Sequence, residues 1–124
     1  MNKLIKVLVT GAGSLLGQGI IRSLINSKLK IHLTAVDPDP LAVGLYWADS
    51  KYLIPMVNDR EYFGKLKDIL RLSEPDVVLV GTDVELPIFA KYKELLEKEF
   101  NTRIIVSSSR VIDIANDKYL TYKC

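Results

Sequence analysis

Residues 3–17 read KLIKVLVTGAGSLLG, and this stretch decides the fold. Lys3–Thr10 is β-branched and almost continuously apolar, the pattern of a strand buried on both faces of a parallel sheet. It runs into Gly11, Gly13 and Gly17. Leu16, Ile20, Ile21, Leu24 and Ile25 then recur at helical spacing. That predicts a helix over roughly residues 15–27 with one apolar stripe.

The same alternation continues outward. Ile31–Val36 (IHLTAV) predicts a second strand, stopped by Asp37-Pro38-Asp39-Pro40 because each Pro lacks a backbone donor. Leu41–Asp49 is a turn or a single helical turn. Tyr52–Pro55 predicts a third, edge strand. Asp59 is placed to cap a helix through about Leu72, with Tyr62, Leu66, Ile69 and Leu70 inward. Val77–Val80 is a fourth strand, followed by the loop Gly81-Thr82-Asp83. A helix over about Glu85–Phe100 turns Leu86, Phe89, Ala90, Leu95 and Leu96 inward. Ile104–Val106 is a fifth strand, and Ser107–Ser109 caps a last helix carrying Val111, Ile112 and Ile114.

Strands alternating with helices imply right-handed βαβ units. The expected architecture is α/β: a doubly wound, Rossmann-like parallel sheet of about five strands, order 3-2-1-4-5, with helices on both faces. Its crevice opens between the first and fourth strands, outside their carboxyl ends. Thr10–Gly17, Asp37–Pro40 and Gly81–Glu85 would then face a ligand.

The chain has 124 residues and 14.0 kDa, one domain against roughly 100–200 residues per domain. It is 48% hydrophobic and 26% charged, as an ordinary globular protein is. Net charge +2, from 17 basic and 15 acidic residues, lacks the basic excess of a nucleic-acid binder. Residues 1–36 hold five cations and no acid, either solvated helix ends or an electropositive rim. No run approaches the roughly 18 apolar residues of a membrane span. Cys124 and His32 are the single Cys and His, too few for a Cys/His metal centre. His32, in a strand with no nearby acid, reads as structural. A reducing cytoplasm is the expected compartment. Leu41–Trp47 (LAVGLYW) is a candidate interface between copies, or packing under the glycine loop.

Three loops carry the candidate chemistry. Gly11, Ala12, Gly13 and Gly17 follow G-x-G-x-x-x-G, one residue longer than the dinucleotide fingerprint. The free N–H groups of a helix start favour an anion; alternatively, the glycines only let the chain turn and pack. Asp37, at the end of the second strand, could accept from a ribose hydroxyl as in NAD enzymes, or bond its own turn. Thr82, Asp83 and Glu85 face the glycine loop. Asp83 is favoured as a helix cap. Glu85 either contacts a substrate amine or complements the positive end of its helix.

Five segments, in this order, resemble ATP-grasp proteins of the carbamoyl-phosphate synthase large subunit-like branch: VTGAGSLLGQGIIRSL, AVDPDPLAVGLYWADSKYLIP, DREYFGKLKDIL, PDVVLVGTDVEL and NDKYLTYKC. The resemblance spans the chain. It implies a pre-ATP-grasp domain over 1–116, with 117–124 opening the connection into an ATP-grasp domain. It implies a ligase that activates a carboxylate with ATP and Mg²⁺ as an acylphosphate, which an amine attacks. Gly11–Gly17 would line the substrate cleft, Glu85 would contact substrate, and Lys118 would stand at the nucleotide edge or be simply solvated. The family's nucleotide-clamping sheets and Mg²⁺ ligands follow the DK-x-x-T segment, so these residues alone are expected to be inactive and to hold no nucleotide tightly. Ser14-Leu15 stands where relatives often have more Gly. Two alternatives remain at this level. One is an NAD(P)-binding domain of a sugar epimerase or dehydrogenase, with Tyr119 and Lys123 at Tyr-x-x-x-Lys spacing. The other is a stand-alone binding module.

Overall fold

In a computed structural model, which describes residues 4–105, the chain forms β1 (Ile5–Thr10), α1 (Leu15–Ile25), β2 (Ile31–Asp37), α2 (Val43–Trp47) and β3 (Ser50–Leu53). It continues through α3 (Tyr62–Ser73), β4 (Val77–Leu79), a 3₁₀ turn (Asp83–Glu85), α4 (Leu86–Phe100) and β5 (Arg103–Ile105). All four strand pairings are parallel, and the order is β3-β2-β1-β4-β5, as the alternation predicts.

The pleat divides the core in two. Leu8, Val36, Val78 and Ile104 point to one face, where Tyr62, Leu66, Ile69 and Leu70 of α3 and Phe89 and Leu96 of α4 cover them. Val7, Val9, Leu33 and Ala35 point to the other, under Ile21 of α1 and Leu45 of α2. Both faces of β1 and β2 are therefore buried, which is why these strands are apolar at successive positions. At each full burial of a large side chain, roughly 1.5–3 kcal/mol of transfer free energy favours the fold.

Several boundaries differ from the expected ones, each for a local reason. β3 is Ser50–Leu53, two residues earlier than Tyr52–Pro55, because Asp37 pairs with Leu53 at the end of β2 and Pro55 has no N–H to prolong the ladder. Asp59 does not cap α3. It forms a preceding turn, its Oδ1 accepting from Glu61 N at 2.8 Å and its carbonyl from Tyr62 N at 3.0 Å. Asp83 is no cap either: the backbone tightens into the 3₁₀ turn and makes no side-chain cap bond. Ile25, Ala90 and Leu95 face solvent, the apolar stripes being narrower than their sequence. β5 begins one residue early, at Arg103. Val106, the Ser107–Ser109 helix and its Val111, Ile112 and Ile114 lie outside the described residues, as does residue range 106–124 as a whole.

Both long right-hand helices stop at a left-handed residue, Glu74 (φ 46°) and Asn101 (φ 50°), whose N–H groups bond the carbonyls of Leu70 and Glu97. Glu97 also ties α4 to β5, Oε2 accepting from Lys93 Nζ and Ile104 N, both at 2.8 Å. The Lys93 bond, with the Ile104 N–H contributing less, holds this carboxyl below its usual range against the opposing cost of burial. A depressed folded-state pKa adds stability above the unfolded value, and that stability is lost as pH falls through the folded one. Glu97→Gln should therefore cost on the order of 1 kcal/mol at neutral pH, because the pair is only partly buried and solvent screens it. The deficit should vanish in acid. Urea melts at the two pH values check this; an equal deficit at both would refute it.

Candidate functional site

The site is built where the strand order reverses, at the carboxyl ends of β1 and β4. The β1 loop turns at Gly11, in the left-handed region (φ 66°), a conformation that costs little only without a Cβ. α1 then starts so close to this loop that a Cβ at Gly17 would overlap the Gly11 carbonyl oxygen. Ser14 is the N-cap of α1: its Oγ accepts from Gly17 N at 2.9 Å. The same Oγ lies 2.9 Å from Gly11 O and 2.7 Å from Gly81 O, so one hydroxyl hydrogen is shared between the β1 and β4 loops. Thr10 Oγ1 accepts from Gly81 N at 3.1 Å, a second link between them.

The loop's donors are largely committed. Ala12 N donates to Val36 O at 3.1 Å, Gly13 N to Asp37 Oδ2 at 2.8 Å and Ser14 N to Gly11 O at 2.9 Å, while Gly17 N is capped by Ser14. Asp37 is buried, and its other oxygen accepts from Asp39 N at 2.9 Å. Of the two roles open to Asp37, the geometry supplies the turn. Both oxygens bond backbone N–H groups, and one of those bonds clamps the glycine loop.

Gly11, Asp37, Thr82 and Glu85 come together around one cavity of about 250 Å³, with Asp39 and Tyr62 also in its wall. Pro55, Met56 and Val57, from the segment after β3, supply apolar surface. Glu85 is only 6% exposed, and both oxygens are held: Tyr62 Oη donates to Oε2 at 2.5 Å, and Thr82 Oγ1 donates to Oε1 at 2.7 Å. Burial, then the adjacent Glu85 carboxylate, pushes the Tyr62 phenol far above its ordinary pKa. Its proton thus stays on the phenol and is available to the carboxylate as a hydrogen-bond donor.

Other expected site residues lie elsewhere. Ala12 is buried beneath α2, Gly13 is exposed in its clamp, and Gly17 is interior to the α1–loop contact. Asp83 is exposed and opens with Ser14 onto a separate, shallow surface. Lys118, Tyr119 and Lys123 lie outside the described residues. His32 Nε2 sits 3.0 Å from Ser50 Oγ, between β2 and β3, in keeping with a structural role. Two contributors were not foreseen. Tyr62 reads in the sequence as one more inward residue of a helix stripe, although a buried phenol needs a partner. Ser14 carries the signal of an N-cap just before an apolar helix.

No group of three His, Cys, Asp or Glu side chains able to hold a metal ion occurs among the described residues. Among the described residues, the cavity wall carries Asp37, Asp39 and Glu85 and no Lys or Arg. Triphosphate oxygens would meet carboxylates there, and the neighbouring loop has given most of its N–H groups to the protein. The described residues of this wall offer a triphosphate no counter-charge. No helix of the described residues is long and apolar enough to cross a membrane.

Comparison with known proteins agrees with this architecture. No curated protein sequence matches the chain. Among solved structures, dTDP-glucose 4,6-dehydratase from Bacillus anthracis str. Ames, in complex with NAD, superposes with a TM-score of 0.55 at 13% identity. The match covers 81% of this chain and 36% of that one, so the chain spans about a third of the dehydratase, and at this identity the likeness is one of fold. The profile of the family described as "PylC-like, N-terminal domain" matches residues 7–105, from β1 to the end of β5. With its 3-2-1-4-5 sheet matched by that profile from Val7 in β1 to the end of β5, the chain belongs to the PylC-like N-terminal domain family, an N-terminal domain associated with ATP-grasp ligases.

Proposed function

We propose that the chain is the substrate-side, N-terminal domain of an ATP-dependent carboxylate–amine ligase that works through an acylphosphate, in the manner of the carbamoyl-phosphate synthase large subunit. The observation that carries this reading is the family match over 7–105 joined to a carboxyl-end cavity whose wall is acidic and apolar. An acidic wall repels phosphate and suits a substrate group without negative charge. ATP and Mg²⁺ are the reaction's energy source and counter-charge in the whole enzyme; their sites fall outside residues 4–105. Within this domain the work is positional. Gly11, Asp37 and Thr82 shape the cavity, and Glu85 presents a carboxylate fixed by two hydroxyl donors. Fixing such a group in advance reduces the reorganisation needed when substrate binds.

The nicotinamide reading rests on the glycine loop and Asp37. It is not the better supported, since both oxygens of Asp37 already accept backbone N–H groups, from Gly13 and Asp39.

Titration calorimetry of the 124-residue chain with MgATP should give no micromolar binding, and NADH fluorescence should not change on mixing. Micromolar MgATP binding would overturn the assignment of this domain to the substrate side, and tight NADH binding would restore the dehydrogenase reading. The gene settles the ligase assignment separately: codons after 124 should encode a glycine-rich loop and paired Glu/Asn metal ligands.

A further inference from the structure

The acids of the carboxyl-end cavity have little left to offer a ligand. Both oxygens of Asp37 accept backbone N–H groups, and both oxygens of Glu85 accept hydroxyls. The two residues are only 8% and 6% exposed. Asp39 stands at the exposed rim, one oxygen accepting from Leu41 N at 2.9 Å. Most of the remaining wall is apolar: Pro38, Pro55, Met56, Val57 and Val84, of which the prolines have no N–H to donate. Met56, from the loop after β3, and Val84, from the 3₁₀ turn after β4, are 59% and 65% exposed, and both border this one cavity. The described wall is built by the loops that follow β1 to β4 and by α3, with no part from β5, where the described residues end.

We propose, resting on the substrate-side reading above, that the cavity receives an uncharged hydrocarbon group of the substrate, a chain or a ring, and that Met56 and Val84 set its size. An ammonium group drawn in here would give up its water for carboxylates already bonded, a loss that only well-made partners offset. A carboxylate or phosphate would meet Asp37, Asp39 and Glu85 as like charges. A hydrocarbon group gains by leaving water, and ligand pockets are mostly walled by apolar side chains. The cavity, at about 250 Å³, exceeds the roughly 150 Å³ that suffices for benzene. A six-membered ring with a short tail therefore fits. The Tyr62 and Thr82 bonds to Glu85 then anchor the turn that carries Val84 to the opening.

The test titrates the full 124-residue chain, isotope-labelled at Met and Val methyl groups, with two probes in separate NMR series. Benzyl alcohol is an uncharged ring; ethylammonium chloride is a charge with little carbon. Benzyl alcohol should move the Met56 and Val84 methyl signals saturably, with a dissociation constant on the order of 1–10 mM for a probe of about eight non-hydrogen atoms. Ethylammonium should leave them in place. Met56→Asp and Val84→Asp, both at exposed positions, should each weaken benzyl alcohol by about tenfold, read at the methyl that remains, because a charge at the opening has to stay hydrated. Val43→Asp, exposed on α2 and outside the cavity wall, should not. If one cavity variant fails to fold, the other decides. Benzyl alcohol that moves neither signal, or that binds the variants as it binds the parent, overturns the proposal. Ethylammonium that saturates these signals at lower concentration than benzyl alcohol overturns it in favour of an ammonium site. Neither probe involves ATP, so failure here leaves the ligase reading standing. Codons after 124 that lack the ligase elements would remove that reading and leave the apolar site.

Discussion

Gly17→Ala should lower the stability of the fold by roughly 2–4 kcal/mol. The added Cβ overlaps the Gly11 carbonyl oxygen and presses on Ser14 Oγ. The first of these is backbone and cannot rotate away. α1 would have to lift from the β1 loop, and with it the N-cap and the Ser14 link to Gly81. Overpacking of a tight contact costs roughly 1–3 kcal/mol, and losing the cap adds about 1 kcal/mol. A domain has only about 5–15 kcal/mol in total. The control lies two residues on: Gly19→Ala meets nothing within 4 Å and should be neutral or stabilising by up to about 1 kcal/mol through helix propensity. Chemical melts of the two variants compare directly. If they behave alike, α1 does not rest on the glycine loop in the way described.

The second large effect is at Tyr62. Tyr62→Phe removes one hydroxyl and leaves Glu85, 6% exposed, with Thr82 as its side-chain donor. A hydrogen bond to a charged group is worth about 1.5–3 kcal/mol, and a stranded buried acceptor falls at the upper end. Tyr46→Phe makes the comparison, since its hydroxyl bonds Pro40 O at an exposed site, and should cost within about 0.5 kcal/mol. The alkaline limb adds an independent sign. The Tyr62 phenol is held far above its usual pKa in the folded state, by burial first and Glu85 second. The unfolded chain releases this proton near pH ~10 while the folded chain keeps it. Stability from this group is thus full below that pH and declines above it. Tyr62→Phe should flatten the decline. Identical alkaline slopes in the parent and the variant would show that Tyr62 is not buried against Glu85.

The fold was legible because its evidence is periodic. Apolar runs in β1 and β2 and the i, i+3, i+4 stripe of α3 are imposed by burial on both sheet faces, and burial leaves its mark on composition. The glycines were legible for the same reason: close approach excludes every larger residue. The cavity was half legible. Gly11, Asp37, Thr82 and Glu85 could be grouped because the topology brings those loops together. The partition within the group could not be read. Which of Asp83 and Glu85 turns inward depends on a 3₁₀ turn of three residues, too short to show a period. Tyr62 sits in α3, far from the loops in sequence, and its apolar ring satisfies the helix pattern so well that its hydroxyl goes unnoticed. The shift of β3 has a similar cause, because its register is set by pairing with β2 rather than by its own residues.

The hydrogen that Ser14 shares between Gly11 O and Gly81 O has a kinetic meaning. The β1 and β4 loops are tied at two points: displacing either breaks the Ser14 link and the Thr10 link to Gly81, and moving Ser14 also removes the cap on Gly17 N. The amide protons of Gly17 and of Gly81, 64 positions apart in sequence, should therefore exchange with solvent in one cooperative event. A lip that opens only as a unit is a poor gate and a good anvil. Any closing movement over this cavity has to be made by whatever faces it.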